Sequence, residues 1–208
     1  MKKAIILDLD NTIYPVSSIS SDLFAKVFEF IDSLADELGF DTVASVKDEM
    51  TRRPYQHVAD QYNFSEAAKN KGADILKNLE YDKPMQPFGD YKHISDTQIE
   101  KYLVTTGFTK LQWSKVRLLG IEADFKAIYI VDPEKSKATK KDIFAHIMNE
   151  NAYTPADLLI IGDDPESEIK AATALGIDTF LFDPEGKHIG AKVTHSSPSL
   201  KDAVILFT

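Results

Sequence analysis

Runs of uninterrupted apolar residues constrain this chain most: Ala4 to Leu7, Tyr102 to Val104, Ala127 to Val131, Leu158 to Ile161 and Thr179 to Phe182. Because they are continuous and do not alternate with polar residues, they predict strands covered on both faces, the environment of a parallel sheet. Between the last four lie amphipathic stretches from about Lys110 to Leu119, Lys140 to Asn149 and Glu166 to Leu175. Thr139 with Asp142 has the pattern of a capping box, and Gly120 and Gly176 stand where helix C-caps belong. Strand and helix in alternation predict an α/β fold, a doubly wound, Rossmann-like parallel sheet.

The stretch between Leu7 and Tyr102 is far longer than a βα connection of a few residues. Its content is helical. From Ser21 to Leu38, Leu23, Phe24, Val27, Phe28, Phe30, Ile31 and Leu34 recur at helix spacing, and shorter patterns follow at Val43 to Met50, Tyr55 to Tyr62 and Ser65 to Leu79. The expected organisation is a small α-helical domain, residues 15–83, inserted into an α/β core formed by 1–14 and 84–208. Lys83-Pro84-Met85-Gln86-Pro87 would be the return linker.

Composition narrows the function classes. Among 208 residues, 33 acidic side chains outnumber 24 basic ones, a formal net charge of −9. That balance argues against a nucleic acid polymer or an anionic membrane surface as partner, since both are held by clustered Lys and Arg. Cysteine is absent, which excludes disulfides, thiol nucleophiles and Cys-ligated metals, and fits a reducing cytoplasm. The apolar run after Met1-Lys2-Lys3 is cut off by Asp8 and Asp10, too early for a signal peptide, and no run reaches the roughly 18 apolar residues that span a bilayer. A cytoplasmic location is expected.

Chemistry-bearing residues collect at strand ends. Asp8 and Asp10 follow the first run at a spacing of two, so an extended chain turns both carboxylates to one side. Two adjacent anions repel, so the pair implies a divalent metal, a split acid/base role, or both; the alternative is a solvated acidic turn. A second acidic group, Gly162-Asp163-Asp164-Pro165-Glu166-Ser167-Glu168, follows the fourth run. Glu166 suits a helix N-terminus, whereas Asp163 lies at the sheet edge where open α/β folds collect ligands. Hard oxygen donors from Asp8 and Asp163, with a backbone carbonyl as an option for a third, suit Mg²⁺. Thr105-Thr106-Gly107 offers hydroxyls and close backbone approach after the second run, and Lys137 is the candidate cation after the third, with Lys135, Lys140 and Lys141 as competitors.

Taken together, these residues resemble the haloacid dehalogenase superfamily of phosphohydrolases. Asp8-Leu9-Asp10-Asn11-Thr12 matches its first motif, Thr105 the second, Lys137 the third, and Gly162-Asp163-Asp164 with Glu168 the fourth. The continuation Ile13-Tyr14-Pro15 with Ser17-Ser18 looks most like the pyrimidine 5′-nucleotidase-like branch. Departures from the usual motifs are Ala138 six residues before Phe144, Thr106 in place of Asn, and Glu168 in place of Asp.

The resemblance implies that Asp8 attacks phosphorus and becomes an aspartyl-phosphate, while Asp10 serves the leaving oxygen and then water. It implies Mg²⁺ held by Asp8, Asp10 and Asp163, with Asp164 and Glu168 supporting, and phosphoryl oxygens bound by Thr105, Thr106 and Lys137. The helical insertion becomes a cap, from which Arg52, Arg53 or His57 is expected to face the leaving group. The substrate would be a small phosphorylated metabolite, with a nucleoside 5′-monophosphate as one option. A phosphomutase and a non-catalytic, Mg²⁺-binding phospho-acceptor regulator are the competing readings.

Overall fold

In the computed structural model, which describes residues 1–207, the apolar runs become one parallel sheet. Its strands are β1 (Ala4–Leu7), β2 (Glu100–Thr106), β3 (Ala127–Val131), β4 (Leu158–Gly162), β5 (Asp178–Phe182) and β6 (His195–Ser197), in the order β3-β2-β1-β4-β5-β6. β1 lies between β2 and β4, with Leu7 opposite Leu103 on one side and Ile161 on the other. All four of its residues are buried, which is why the run carries no alternation. β6 was not legible as a strand: it is His-Ser-Ser, a short polar edge that pairs only with β5.

The helices are α1 (Ser20–Leu23), α2 (Ala25–Asp32), α3 (Ala35–Leu38), α4 (Phe40–Met50), α5 (Tyr55–Gln61), α6 (Glu66–Lys77), α7 (Lys92–Ser95), α8 (Thr109–Leu119), α9 (Lys140–Glu150), α10 (Lys170–Thr173) and α11 (Lys201–Val204). The helix expected from Ser21 to Leu38 is thus three pieces. One break has a local cause: Ser33 donates its hydroxyl to the Phe30 carbonyl at 2.6 Å, and Leu34 N–H bonds the carbonyl three residues back, to Ile31, so the turn tightens and the helix stops. The stretch expected to be helical from Glu166 begins instead with a π-turn, Pro165–Ile169.

α1 to α6 all lie between β1 and β2 and pack on one another, α2 against α4 and α6, and α5 against α4 and α6. α6 also rests on α8, and one apolar cluster runs from Ile5 and Leu7 through Ile13 and Val16 to Val46 and Leu76. The inserted helices therefore sit against the face of the sheet that carries α8. No helix among the described residues is long and apolar enough to cross a membrane.

Candidate active site

The site is built where β1 and β4 end side by side. Asp8 N–H continues the β1–β4 ladder by donating to the Ile161 carbonyl at 3.0 Å. Leu9, Thr12 and Ile13 are fully buried, and the Ile13 N–H bonds the Leu9 carbonyl at 2.9 Å, so the loop between the two carboxylates is anchored from below. Asn11 takes the left-handed conformation, φ 56°, tolerable for Asn, and its side-chain oxygen accepts the Val16 N–H at 3.0 Å.

Asp8 belongs to a buried group of charges. Lys140 Nζ donates to Asp8 Oδ1 at 2.6 Å and to Glu168 Oε2 at 2.8 Å, and the Asp164 N–H donates to Glu168 Oε1 at 2.8 Å. Thr12 donates its hydroxyl to Asp163 Oδ1 at 3.3 Å. Oxygens of Asp8, Asp163 and Glu168 lie within 4.8 Å of one another. Gly162 makes this packing possible, because a Cβ there would stand 2.2 Å from Glu168 Oε1. The π-turn after Asp164 brings the longer Glu168 side chain back beneath the strand end, an irregularity common at functional sites.

Of these three carboxylates, Asp8 and Glu168 bond the one ammonium of Lys140, and Asp163, among the described residues, has only the Thr12 hydroxyl. Burial, opposed by Lys140 and reinforced by the charges of Glu168 and Asp10, pushes Asp8 up to about 7, and burial with the Glu168 and Asp8 charges raises Asp163 well above its ordinary value. Glu168 keeps its charge: burial would raise it, but Lys140 and the Asp164 N–H hold it below the usual range. A set of hard oxygen donors with more negative charge than one lysine neutralises fits a divalent cation such as Mg²⁺.

Asp10 faces the other way, toward α8. Its Oδ1 accepts Lys115 Nζ at 2.7 Å and the Tyr14 hydroxyl, and its Oδ2 accepts Gln112 Nε2 at 2.8 Å. Gln112 Nε2 also lies 2.7 Å from Thr105 Oγ1, which ties the acid to the end of β2. Burial pushes the Asp10 carboxyl up, but the Lys115 charge and these three hydrogen bonds outweigh it and hold the group below its ordinary value. The N-terminus of α8 is fixed in turn by Asp132, after β3, which accepts the Thr109 N–H at 2.9 Å and its hydroxyl at 2.7 Å.

Asp8, Asp10, Thr105, Thr106, Asp163, Asp164 and Glu168 all line one cavity of about 250 Å³, together with Arg52, Arg53 and His57. Lys137 does not: it is exposed, and the lysines in the cavity are Lys115, from α8, and Lys140, the one that follows β3. Thr139 caps α9 with its hydroxyl, accepting the Asp142 N–H at 3.3 Å, and Lys140 is therefore the first residue of the helix. Side chains lean toward a helix's N-terminus, so Lys140 points back at the sheet edge while the loop carries Lys137 outward. The Asp10 carboxylate is committed to α8, which leaves the backbone carbonyl as the oxygen Asp10 could offer a metal. Asp164, expected to support the metal, accepts the Glu166 N–H at 2.8 Å as a helix cap and reaches Glu168 only through its own backbone N–H.

Motif matching missed Gln112, Lys115 and Tyr14. The available signal was a Gln and a Lys on the apolar stripe of α8, where Leu111 and Val116 are also buried.

A parallel sheet with its carboxylates gathered at the β1 and β4 ends, beneath an inserted helical layer, defines a class of α/β hydrolases. The chain belongs to the haloacid dehalogenase-like hydrolase family, whose model matches residues 5–182. It is 23% identical to the ribulose-1,5-bisphosphate 5-phosphatase of Halopiger xanaduensis, over 88% of this chain and 86% of that one. It is also 23% identical to the glyceraldehyde 3-phosphate phosphatase of Methanopyrus kandleri, over 86% and 83%. Among solved structures, the magnesium-bound HAD-hydrolase YfnB of Bacillus subtilis superposes with a TM-score of 0.62 at 17% identity, covering 99% of this chain and 98% of that one. The last is a likeness of fold. The family model makes the chain an enzyme of the hydrolase class, and phosphatases are among its relatives.

Proposed function

We propose that the chain hydrolyses a small phosphomonoester through an aspartyl-phosphate on Asp8. The observation that carries this reading is the hold on Asp8 at the wall of the cavity: Lys140 grips Oδ1 at 2.6 Å, which leaves Oδ2 free of that bond to act as nucleophile. Oδ2 forms a bond to phosphorus as the bond to the leaving oxygen breaks, and that oxygen takes a proton that Lys115 passes on through Asp10. Water then attacks the phosphorus and gives its proton to Asp10, whose lowered pKa keeps it ready as the base and which returns the proton to Lys115. Phosphate leaves and the Asp8 carboxylate is restored. Lys140, Thr105 and the amides near Leu9 and Thr106 are the groups for the phosphoryl oxygens, because phosphoryl transfer is mostly positioning and charge neutralisation.

Asp8, Asp163 and Glu168 would hold Mg²⁺, which when bound supplies positive charge to the phosphoryl oxygens and to the crowded carboxylates. On the same reading residues 15–83 act as a cap domain over a core of 1–14 and 84–208, and the substrate is a small soluble metabolite met in the cytoplasm. The nucleoside 5′-monophosphate option of the pyrimidine 5′-nucleotidase-like branch rests on the residues after Asp10, Ile13-Tyr14-Pro15 with Ser17-Ser18, so UMP and CMP belong in any substrate panel.

The test is release of inorganic phosphate from 4-nitrophenyl phosphate with Mg²⁺ and with EDTA, for wild type and Asp8→Asn. Mg²⁺-dependent release that the variant abolishes without loss of circular dichroism is expected. Wild-type turnover in Asp8→Asn would sink the assignment, and phosphate returned to the organic product without release would indicate a mutase.

A further inference from the structure

The cavity continues beyond the carboxylates into a recess between the cap and α8. Its walls are Val16, Phe24, Met50 and Leu76 from the inserted segment and Phe108 and Leu111 from the core, all buried. Most of the cap polar groups on the same cavity are already engaged, Gln56 with Glu134 at 3.4 Å among them. Arg52 pairs with Asp48 at 2.7 Å and Arg53 with Glu49 at 3.4 Å; Arg53 also donates to Gln61 at 3.2 Å. Thr51 donates to the Asp48 carbonyl and Tyr55 to that of Ala68. Arg52, Arg53 and His57 are exposed, which places them at the solvent side of the opening. On the core side Gln112 and Lys115 are spent on Asp10.

A polyol in this recess would give up water for carbon, whereas an apolar body would be buried at no such cost. The recess opens directly onto the carboxylates that serve the leaving oxygen, so what fills it is joined to the phosphoryl group. Resting on the phosphomonoesterase reading above, we propose that the substrate is the phosphomonoester of an alcohol with a compact apolar body, an aliphatic chain or an unsubstituted ring, seated in this recess.

The test uses primary alkyl esters, so that leaving-group reactivity is matched across the series. For the full chain with Mg²⁺, kcat/KM is measured for ethyl, propyl, butyl and pentyl phosphate and for ribose 5-phosphate, glyceraldehyde 3-phosphate and UMP. Calorimetry with the non-hydrolysable ethyl- to pentylphosphonates reads the recess without turnover. A rise of about two- to fourfold per methylene is expected in both measurements, with pentyl phosphate above all three polar esters. Met50→Gln, close to Met in volume, should flatten the slope. A flat series, or a polar ester that outperforms pentyl phosphate, overturns the inference even if the enzyme is an active phosphatase. Loss of all turnover with the phosphonate slope intact would instead strike the phosphatase reading and leave an apolar anion-binding recess.

Discussion

On the proposed mechanism both halves of the reaction depend on Asp10, and its environment differs sharply from that of Asp8. Asp8 shares a single ammonium with Glu168, whereas Asp10 is the only carboxylate bonded by Lys115, Gln112 and Tyr14 among the described residues. Two carboxylates with environments that push their protonation apart are the usual mark of divided acid/base labour. Lys115 is buried and touches only the acid of this pair, so it acts through Asp10. Lys115→Met is expected to lower kcat by about 10- to 100-fold, part of what acid–base catalysis commonly contributes, with little change in KM. Lys115→Arg should recover part of the loss, and adding Lys115→Met to Asp10→Asn should cost almost nothing more, since the two act as one unit. Steady-state kinetics of the wild type and these four variants check this. At the same scale, Gly162 and Glu168 explain each other: the absent Cβ is the space the longer acid occupies.

At the level of elements, the start of α9 decides which lysine serves the site. The box is reciprocal, with Thr139 accepting from the Asp142 backbone and donating its own N–H to Asp142 Oδ2 at 2.8 Å. Thr139→Ala is expected to cost about 1 kcal/mol of stability, the usual worth of such a cap. Because Lys140 is the next residue, kcat should fall as well, and urea unfolding combined with kinetics separates the two effects. A second box, Thr154 with Asp157, leads into β4. The Thr154 backbone N–H and hydroxyl, with Lys3 in support, lower Asp157 to about 2 from 3.8. The unfolded chain therefore binds more protons between those values, so this contribution is complete above about pH 4 and is lost as pH falls toward 2. Asp157→Asn should remove that part of the acid slope, measurable by thermal denaturation between pH 2 and pH 4.

The whole molecule is arranged so that distant segments supply one small volume. Asp8, Lys140 and Glu168 meet across separations of 132 and 28 residues, and Lys115 reaches Asp10 across 105. Only the folded chain presents this set, so Mg²⁺ that binds it stabilises the fold by mass action. At a hundredfold excess over Kd the gain is about 2.7 kcal/mol, or roughly 5–10 °C in Tm for a chain of this size. Differential scanning fluorimetry with and without Mg²⁺ should show that rise, and Asp163→Asn should abolish it. An unchanged melting curve in millimolar Mg²⁺ would count against the metal site.

Much of this architecture was legible one residue at a time. Continuous apolar runs marked β1 to β5 because strands buried on both faces cannot alternate, and carboxylates at the ends of β1 and β4 pointed to one sheet edge because parallel strands end together. Signals of that kind are local and survive without a structure. β6 was lost because an edge strand of His-Ser-Ser carries no apolar signal, and the helix from Ser21 was drawn too long because a hydroxyl competing for a carbonyl leaves the periodicity untouched. Which lysine enters the site, which way Asp10 turns and what lines the recess depend on the path of a loop and the docking of α8 and the cap. Those are contacts between segments far apart in the chain, and they exist only once the sheet has brought the segments together.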